Sequence, residues 1–449
     1  MKAEEAIEEI EKLDKEYNFM NNISKDIAVE QEKERKKGKL SGYFISAKDC
    51  VCVKDVESRG GSKILTGYKP VFDATVVERI KNEGGIIIGK TAQDAFGFGS
   101  FSVNVGIGMK VPLNPNDKER ACGGSSGGSA AAAYVLKDKM KHISIAESTG
   151  GSIVCPASFC GVVGLCPTYG RVSRYGLMDY ANSLDKFGPI ASNVHDAALL
   201  LEVMAGFDEN ESTSLKKDVP EYTSFVGKDV KGMKIGMIKE AFGEGVNSDV
   251  KDKVKKTIEK LKERGAEVEE ISLPLVAKYG VSCYYLIAMS ETSTNLAKYC
   301  GLRYGIMDKN MNIGFNEYFT KIRSENLNDE SKRRIIVGTF ARMAGTRDAY
   351  YIGAMKVRTK IIEEYKKAFE KYDVLVCPTM PVVAPKFSEI EKLTPLENYM
   401  MDIMTVGPNL AGLPHITVPC GESEGMPVGI MFVGDHLAEE KIIQAASNV

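Results

Sequence analysis

Segments with a helical pattern alternate with short strand-like segments, and this alternation limits the possible folds more than any other feature of the chain. Residues 73–84 (DATVVERIKNEG) have helical spacing and lead into the β-branched run GIIIGKT at 85–91. The same order recurs where SAAAAYVLKDKM at 129–140 precedes HISIAES at 142–148. Helices that alternate with buried strands are typical of α/β proteins. The sequence therefore predicts an α/β fold with a mixed or parallel central β-sheet covered by helices on both faces.

Other segments extend this pattern along the chain. The Glu- and Lys-rich residues 3–38 have broken helical spacing, and SGYFISAKDCVCVKD at 41–55 predicts short strands. MKIGMI at 233–238 predicts a further strand, and residues 248–265 predict an amphipathic helix that stops at a glycine. The polar, turn-rich residues 207–232 mark an internal boundary. We therefore expect an N-terminal helical segment at residues 1–40 and one large α/β domain at residues 41–449. Within that domain we expect a core half at residues 41–206 and a C-terminal half at residues 230–449.

Charge and composition exclude several classes of protein. The 61 acidic and 59 basic residues leave a net charge of −2, so the chain has no overall basic excess for binding nucleic acid. The charged N-terminus has no apolar signal segment, and no run of about 18 apolar residues predicts a membrane span. The ten cysteines are irregularly spaced without a C-x-x-C pair, which argues against a zinc site. These features predict a cytoplasmic protein with no membrane association and no metal.

The stretch CGGSSGGSAAAA at 122–133 contains only cysteine, glycine, serine and alanine. It could be a linker, a phosphate-binding loop or part of a catalytic site. A flexible linker separates independent units, whereas this stretch runs directly into the helix-forming segment AAAAYVL. The linker interpretation is therefore rejected.

Two literal motif matches near this stretch do not fit the chemistry of their motifs. GGIIIGKT at 84–91 matches a phosphate loop, but its three isoleucines favour an extended strand, so Lys90 is interpreted as structural. Residues 123–127 match the nucleophile elbow G-x-S-x-G, which needs a preceding strand, but a polar segment precedes them. The histidines stand in no recognisable triad context; they are His142, His195, His415 and His436. A catalytic serine here would need a different base.

A lysine and a second serine cluster supply the missing parts. Lys48 follows a mostly apolar segment, and burial disfavours the charged form of a lysine, leaving an amine that can accept a proton. By itself, a lysine beside an aspartate is more often a surface ion pair. Ser152 follows two glycines in ESTGGSIVCP, where consecutive N–H groups could bind an oxyanion. The alternative for that segment is a tight glycine turn with a bystander serine.

The lysine segment, GGSSGGS and TGGS occur in an order and at a spacing that resemble the amidase signature family. The resemblance implies the amidase-signature fold and a Ser–cis-Ser–Lys triad in place of a histidine triad. It assigns Ser152 as the nucleophile, Ser125 as the bridging serine in a cis peptide, and Lys48 as the base. It also implies an oxyanion hole formed by the N–H groups of Thr149, Gly150, Gly151 and Ser152.

Longer runs sharpen the resemblance to one branch of that family. FCGVVGLCPTYGRVSRYGLMDYANSLDKFGP, SETSTNLAKYCGLRYG and NLAGLPHITVP are similar to the A subunits of aspartyl/glutamyl-tRNA amidotransferases. These subunits hydrolyse glutamine and pass ammonia to a partner subunit, which amidates a mischarged tRNA. The resemblance implies that Arg334 holds the α-carboxylate of glutamine, that Asp402 holds its α-ammonium, and that Tyr284 lines the pocket. A guanidinium and a carboxylate suit these two charges.

The resemblance also implies the cofactors and partners. No cofactor is expected in this subunit, while ATP and magnesium are expected to act in the partner. The expected partners are glutamine, the B and C subunits, and tRNA mainly through the partner subunit. Two alternatives remain open, namely a stand-alone amidase for another small amide and a scaffold with impaired catalysis. The chain departs from the family pattern in the spacing of 27 residues from Ser125 to Ser152 and at Ala95, Ser148, Val154 and Cys166.

Overall fold

The structure is a computed structural model that describes residues 1–310 and 312–449. Its strands are β1 (Met20–Ile23), β2 (Phe44–Lys48), β3 (Ile86–Thr91), β4 (His142–Ser148), β5 (Val163–Cys166), β6 (Lys186–Ala191), β7 (Lys234–Ile238), β8 (Glu267–Ile271), β9 (Val374–Pro378), β10 (His415–Ser423) and β11 (Met426–Gly434).

The helices of the first half are α1 (Ala3–Tyr17), α2 (Lys25–Lys33), α3 (Thr75–Asn82), α4 (Gly127–Val135), α5 (Val154–Cys160) and α6 (Val194–Met204). Those of the second half are α7 (Ser248–Glu263), α8 (Pro274–Asn295), α9 (Phe315–Asn326), α10 (Asp329–Arg342), α11 (Gly353–Phe369), α12 (Phe387–Ile390), α13 (Pro395–Met400), α14 (Val406–Ala411) and α15 (Glu439–Ala446).

The eleven strands form one sheet in the order β1-β3-β2-β4-β6-β5-β10-β11-β9-β7-β8. Strand β2 is parallel to β3 and β4, β4 is antiparallel to β6, and β7 is parallel to β8 and β9. The two halves of the chain meet where β5 pairs with β10. Parallel and antiparallel pairs therefore coexist, which confirms the predicted mixed sheet.

The central strands are covered on both sides. Every residue of β2, β3 and β4 is buried. Because successive side chains of a strand point to opposite faces, complete burial requires cover on each face of the sheet. Helix α4 packs on β2, β4 and β6, while α5 packs on β5, β10 and β11. The predicted α/β class is confirmed.

The N-terminal region differs from the helix predicted over residues 3–38. Helix α1 ends at Asn18, whose φ of 54° is left-handed, and strand β1 then pairs antiparallel with β3. Phe19 and Met20 are buried, so the chain turns inward to complete the sheet edge before α2 begins. A short edge strand between two charged helices has too few residues to show its own periodicity.

The motif that imitates a phosphate loop is part of the core. GIIIGKT forms the buried strand β3. The ammonium of Lys90 is buried and donates hydrogen bonds to Oγ of Ser58, at 2.8 Å, and to the carbonyl oxygen of Val51. Lys90 therefore ties down the loop after β2.

Candidate active site

Strand pairing brings Lys48 to the centre of the site. Lys48 is the last residue of β2, which runs parallel to β4. The carboxyl ends of parallel neighbours lie at the same edge of a sheet, and this edge is where α/β proteins place their binding crevices. The side chain of Lys48 has no exposed surface. It is therefore held in the core at the start of the loops that follow both strands.

Ser125 lies beside Lys48 on the loop before α4. Lys48 Nζ donates a hydrogen bond of 2.7 Å to Ser125 Oγ. The Gly124–Ser125 peptide bond is cis. A Cβ at residue 124 would lie 2.3 Å from Oδ2 of Asp94 and 2.7 Å from the nitrogen of Ser102, so only glycine fits. The glycine–serine stretch thus presents one serine hydroxyl to the buried lysine.

Ser152 lies on the turn between β4 and α5 and is 6% exposed. Among the hydrogen bonds of the described residues, none joins Ser152 to Ser125, and none has the N–H of Gly150, Gly151 or Ser152 as its donor. A Cβ at Gly150 would lie 2.8 Å from Oη of Tyr284. The turn therefore combines a serine hydroxyl with N–H groups that can receive an anion, and Tyr284 packs against it.

Lys48 has a second polar partner, Glu147, that the sequence analysis did not identify. Lys48 Nζ donates to Oε2 of Glu147 at 2.8 Å and to its carbonyl oxygen at 2.9 Å. Both side chains are buried. The available signal was a glutamate near the end of a fully buried strand, next to the TGGS segment. Lys48 and Glu147 therefore form a buried ion pair at the centre of the site.

The carboxylate of Glu147 continues into a network beneath the turn. Thr149 Oγ1 lies 2.8 Å from Oε1 of Glu147 and 2.7 Å from Oδ1 of Asp185. Burial, together with the charge of Glu147, raises the pKa of Asp185 well above its ordinary value. Asp185 also accepts hydrogen bonds from the backbone N–H groups of Tyr180 and Ala181. The turn with Thr149 is thereby fixed to both β4 and the segment before β6.

Arg334 lies on α10 and is 2% exposed. Its Nε donates to Oε1 of Glu330 at 2.8 Å, and its Nη1 donates to Oη of Tyr180 at 2.5 Å. Four aromatic rings lie 5.1–5.6 Å from its guanidinium carbon; they belong to Phe98, Tyr180, Tyr285 and Tyr399. This aromatic cage holds the cation in one orientation.

Asp402 is buried near Arg334 and has two hydroxyl donors. Oδ1 accepts from Oγ of Ser100 at 2.9 Å, and Oδ2 accepts from Oη of Tyr285 at 2.6 Å. Burial raises the pKa of Asp402. The side chains of Tyr285 and Tyr284 form an edge-to-face pair, so residues of α8 connect Asp402 to the turn with Ser152. Sequence reasoning named Tyr284 but missed Tyr285 and Ser100.

A cavity of about 670 Å³ reaches Arg334, and its lining also includes Ser100, Glu330 and Tyr399. The Ser100 carbonyl oxygen also accepts from the N–H of Gly124, the residue before Ser125. Ser100 therefore lines the cavity and is hydrogen-bonded both to Asp402 and to the residue before Ser125.

The departures from the expected pattern leave this arrangement in place. The buried Oγ of Ser148 has no hydrogen-bond partner among the described residues. Sγ of Cys166 lies 3.9 Å from Oδ1 of Asn409. Val154 and Ala95 are buried and apolar. None of the four side chains contacts the Lys48–Ser125 pair through a hydrogen bond of the described residues.

Residues 1–310 and 312–449 contain no group of three or more His, Cys, Asp and Glu side chains placed to hold a metal ion. Within the same residues, every helix is too short or too polar to cross a membrane.

Comparisons with known proteins identify the family to which the chain is similar. The amidase family model matches residues 3–443. The A subunit of glutamyl-tRNA(Gln) amidotransferase from Halothermothrix orenii is 46% identical over 425 residues, which cover 94% of this chain and 87% of that protein. The protein of the same name from Staphylococcus epidermidis is 47% identical over 416 residues, covering 93% and 84%.

Two solved structures have a similar fold. The A subunit of glutamyl-tRNA(Gln) amidotransferase from Thermotoga maritima aligns with a TM-score of 0.81 at 37% identity, covering 98% of this chain and 89% of that one. A 6-aminohexanoate cyclic dimer hydrolase aligns with a TM-score of 0.86 at 21% identity, covering 99% and 92%. The second likeness concerns the fold alone.

Proposed function

The chain belongs to the amidase family, and we propose that it is the glutamine-hydrolysing subunit of a tRNA-dependent amidotransferase. It releases ammonia from glutamine for the conversion of Glu-tRNA(Gln), Asp-tRNA(Asn) or both to the amidated forms. Identity of 46% to a subunit of that name over 94% of the chain supports this function.

The observation that carries the substrate assignment is the position of Ser100. Ser100 lines the cavity together with Arg334, donates to Asp402, and accepts from Gly124 beside the bridging serine. Glutamine carries a carboxylate and an ammonium on one carbon and an amide two methylenes away. Arg334 binds the carboxylate and Asp402 binds the ammonium, because opposite charges with fixed hydrogen-bonding geometry give strong recognition. Proximity of the ammonium favours the ionised form of Asp402.

The reaction proceeds through a covalent intermediate. Ser152 attacks the side-chain amide carbon, and its proton passes to Oγ of Ser125 as the hydroxyl proton of Ser125 passes to Lys48. The N–H groups of residues 149–152 stabilise the oxyanion. The protons return to the leaving nitrogen as ammonia departs, and water then releases glutamate from Ser152 by the same route.

The complex completes the function. The B and C subunits, ATP and magnesium act outside this chain, and the partner subunit holds most of the tRNA. The near-neutral charge of this chain is consistent with that division. We place the reaction in the cytoplasm, since the cysteines of the described residues are all free thiols.

The test is ammonia release from glutamine by the chain purified with its B and C subunits from the native cell. We expect release by the wild-type complex and none by Ser152→Ala, while the complex still assembles. Absence of release from the wild type overturns the glutaminase assignment and favours a scaffold. Faster hydrolysis of an unrelated small amide than of glutamine overturns the substrate and favours a stand-alone amidase.

A further inference from the structure

The base of this site has a buried carboxylate directly behind it. Glu147 Oε2 lies 2.8 Å from Lys48 Nζ, and the same Nζ also contacts Ser125 Oγ. Lys48 is fully buried, and Glu147 is 2% exposed. A buried ammonium without a counter-charge is costly, and a buried ion pair is tolerated only with satisfied hydrogen bonds. Here Glu147 supplies the counter-charge, and Lys48 Nζ donates hydrogen bonds to Ser125 and to Glu147.

We propose that Glu147 acts through Lys48 as the terminal proton acceptor of the relay, so that the base is the Lys48–Glu147 pair. This inference rests on the proposed amide hydrolysis, and it extends the Ser152–Ser125–Lys48 relay by one residue. Glu147 does not touch the substrate and is therefore a positioning residue.

The proton transfers balance when Glu147 takes part. As Ser152 Oγ bonds to the amide carbon, its proton moves to Ser125 Oγ and the hydroxyl proton of Ser125 moves to Lys48 Nζ. This transfer is preceded by the movement of one ammonium proton of Lys48 to Glu147 Oε2, which leaves a neutral amine. Rotation of Nζ turns its lone pair toward Ser125 Oγ, and Lys48 becomes an ammonium again when it takes the Ser125 proton. The electron pair of the carbonyl bond goes to the oxyanion. The reverse transfers deliver the proton to the leaving nitrogen, and ammonia departs with the electrons of the C–N bond.

Among the described residues, the other buried carboxyl groups near the pair have no hydrogen bond to Lys48. Asp185 accepts from Thr149, Tyr180 and Ala181, and Asp94 accepts from the N–H groups of Ser102 and Asn104. Burial raises the pKa of the thiols of Cys50 and Cys166, which then remain neutral. Among the described residues, Glu147 is the carboxylate that forms a salt bridge with Lys48.

The second oxygen of Glu147 links the relay to the oxyanion turn. Oε1 of Glu147 contacts the hydroxyl of Thr149, the first residue of the turn that carries Ser152. The same carboxylate therefore contacts both the base and the segment that stabilises the oxyanion. A hydrogen-bonded chain of this kind holds the proton acceptor and the anion site in a constant relative position.

The test compares Glu147→Gln and Glu147→Asp with the wild type in the complete complex. General acid–base catalysis contributes about 10²–10⁴-fold. We therefore expect Glu147→Gln to lower kcat for glutamine about 100-fold or more, while KM changes by less than about threefold. Labelling of Ser152 by a fluorophosphonate should slow in parallel, and this readout does not depend on glutamine. Glu147→Asp keeps an acceptor farther from Lys48 and should give an intermediate kcat.

Glu439→Gln is the matched control. Glu439 is also a fully buried carboxylate, but it accepts from the N–H of Thr168 and has no hydrogen bond to Lys48. The kcat of the Glu439→Gln variant should equal that of the wild type. A folded Glu147→Gln variant with a kcat within about threefold of the wild type, or above it, overturns the proposal. If Glu147→Gln does not fold, a wild-type kcat in Glu147→Asp overturns it instead.

The same experiment separates this inference from the proposed function. A wild-type complex that labels at Ser152 but releases no ammonia from glutamine contradicts the glutaminase function. Slower labelling of Glu147→Gln in that case still supports the role of Glu147. Equal labelling rates in the two proteins contradict that role, whatever the substrate is.

Discussion

Lys48 Nζ lies 2.7 Å from Ser125 Oγ, although 77 positions separate the two residues in the chain. The contact is possible because β2 ends beside the loop that precedes α4. It places a serine hydroxyl beside the buried amino group of Lys48.

Ser125→Ala should lower kcat for glutamine by about 10²–10⁴-fold, since Lys48 then has no hydroxyl through which to reach Ser152. The measurement is steady-state ammonia release. Ser129→Ala is the control, because Ser129 lies in the same glycine–serine stretch but bonds to Thr91 at 2.7 Å. Similar losses in both variants would mean that packing of the stretch, and not the relay, limits the rate.

Arg334→Lys should raise KM for glutamine by at least about tenfold. Lysine keeps the charge but cannot reproduce the forked geometry with which arginine contacts Glu330, Tyr180 and a carboxylate together. Fluorophosphonate labelling of Ser152 should be nearly unchanged. Arg333→Lys is the control, since Arg333 lines the same cavity but its side chain is 43% exposed. An unchanged KM in Arg334→Lys would remove Arg334 from the binding site.

Gly150→Ala should lower kcat by about 100-fold, the effect of losing one oxyanion donor. Its Cβ would lie 2.8 Å from Cζ and Oη of Tyr284, which is buried and cannot retreat, so the turn must shift. Gly314→Ala provides a comparison because a Cβ there meets nothing within 4 Å. Wild-type kcat in Gly150→Ala would show that the position of this turn does not matter for catalysis.

Stability should depend on pH through Asp94. Burial raises the pKa of Asp94 from 3.8 to about 7, so between these values the folded chain holds a proton that the unfolded chain has released. The contribution of Asp94 to the free energy of unfolding therefore falls as the pH rises through this window.

Asp94→Asn has no such ionisation, but it loses one of the two acceptors for the N–H groups of Ser102 and Asn104. The variant should therefore be less stable than the wild type at pH 5 by about 1–3 kcal/mol, and the difference should narrow by pH 8. Urea denaturation midpoints at several pH values measure this. Asp138→Asn, at an exposed position, should show no pH-dependent difference. A constant difference for Asp94→Asn would place the Asp94 pKa near its ordinary value.

The sequence predicted the features that depend on local pattern. Alternating helical and β-branched segments indicated the α/β class, and the strands around Lys48 and before Ser152 lie where they were expected. The helix predicted over residues 3–38 was wrong because β1 is stabilised by pairing with β3, which no local periodicity records. Local pattern thus located the central strands, but it missed a short strand at the edge of the sheet.

The site also contains residues that the sequence named and residues that only the structure revealed. Lys48, Ser125 and Ser152 became candidates because their three short segments together resemble the amidase signature family in order and spacing. Glu147 and Tyr285 lie within a strand and a helix, and the sequence does not show which side chains of other segments they contact. The parallel pairing of β2 with β4 places Glu147 against Lys48, and the packing of α8 places Tyr285 against Asp402. Sequence alone therefore determined the fold class and named the candidate relay residues, while the tertiary structure decided which distant charges meet, because such contacts depend on how strands and helices pack.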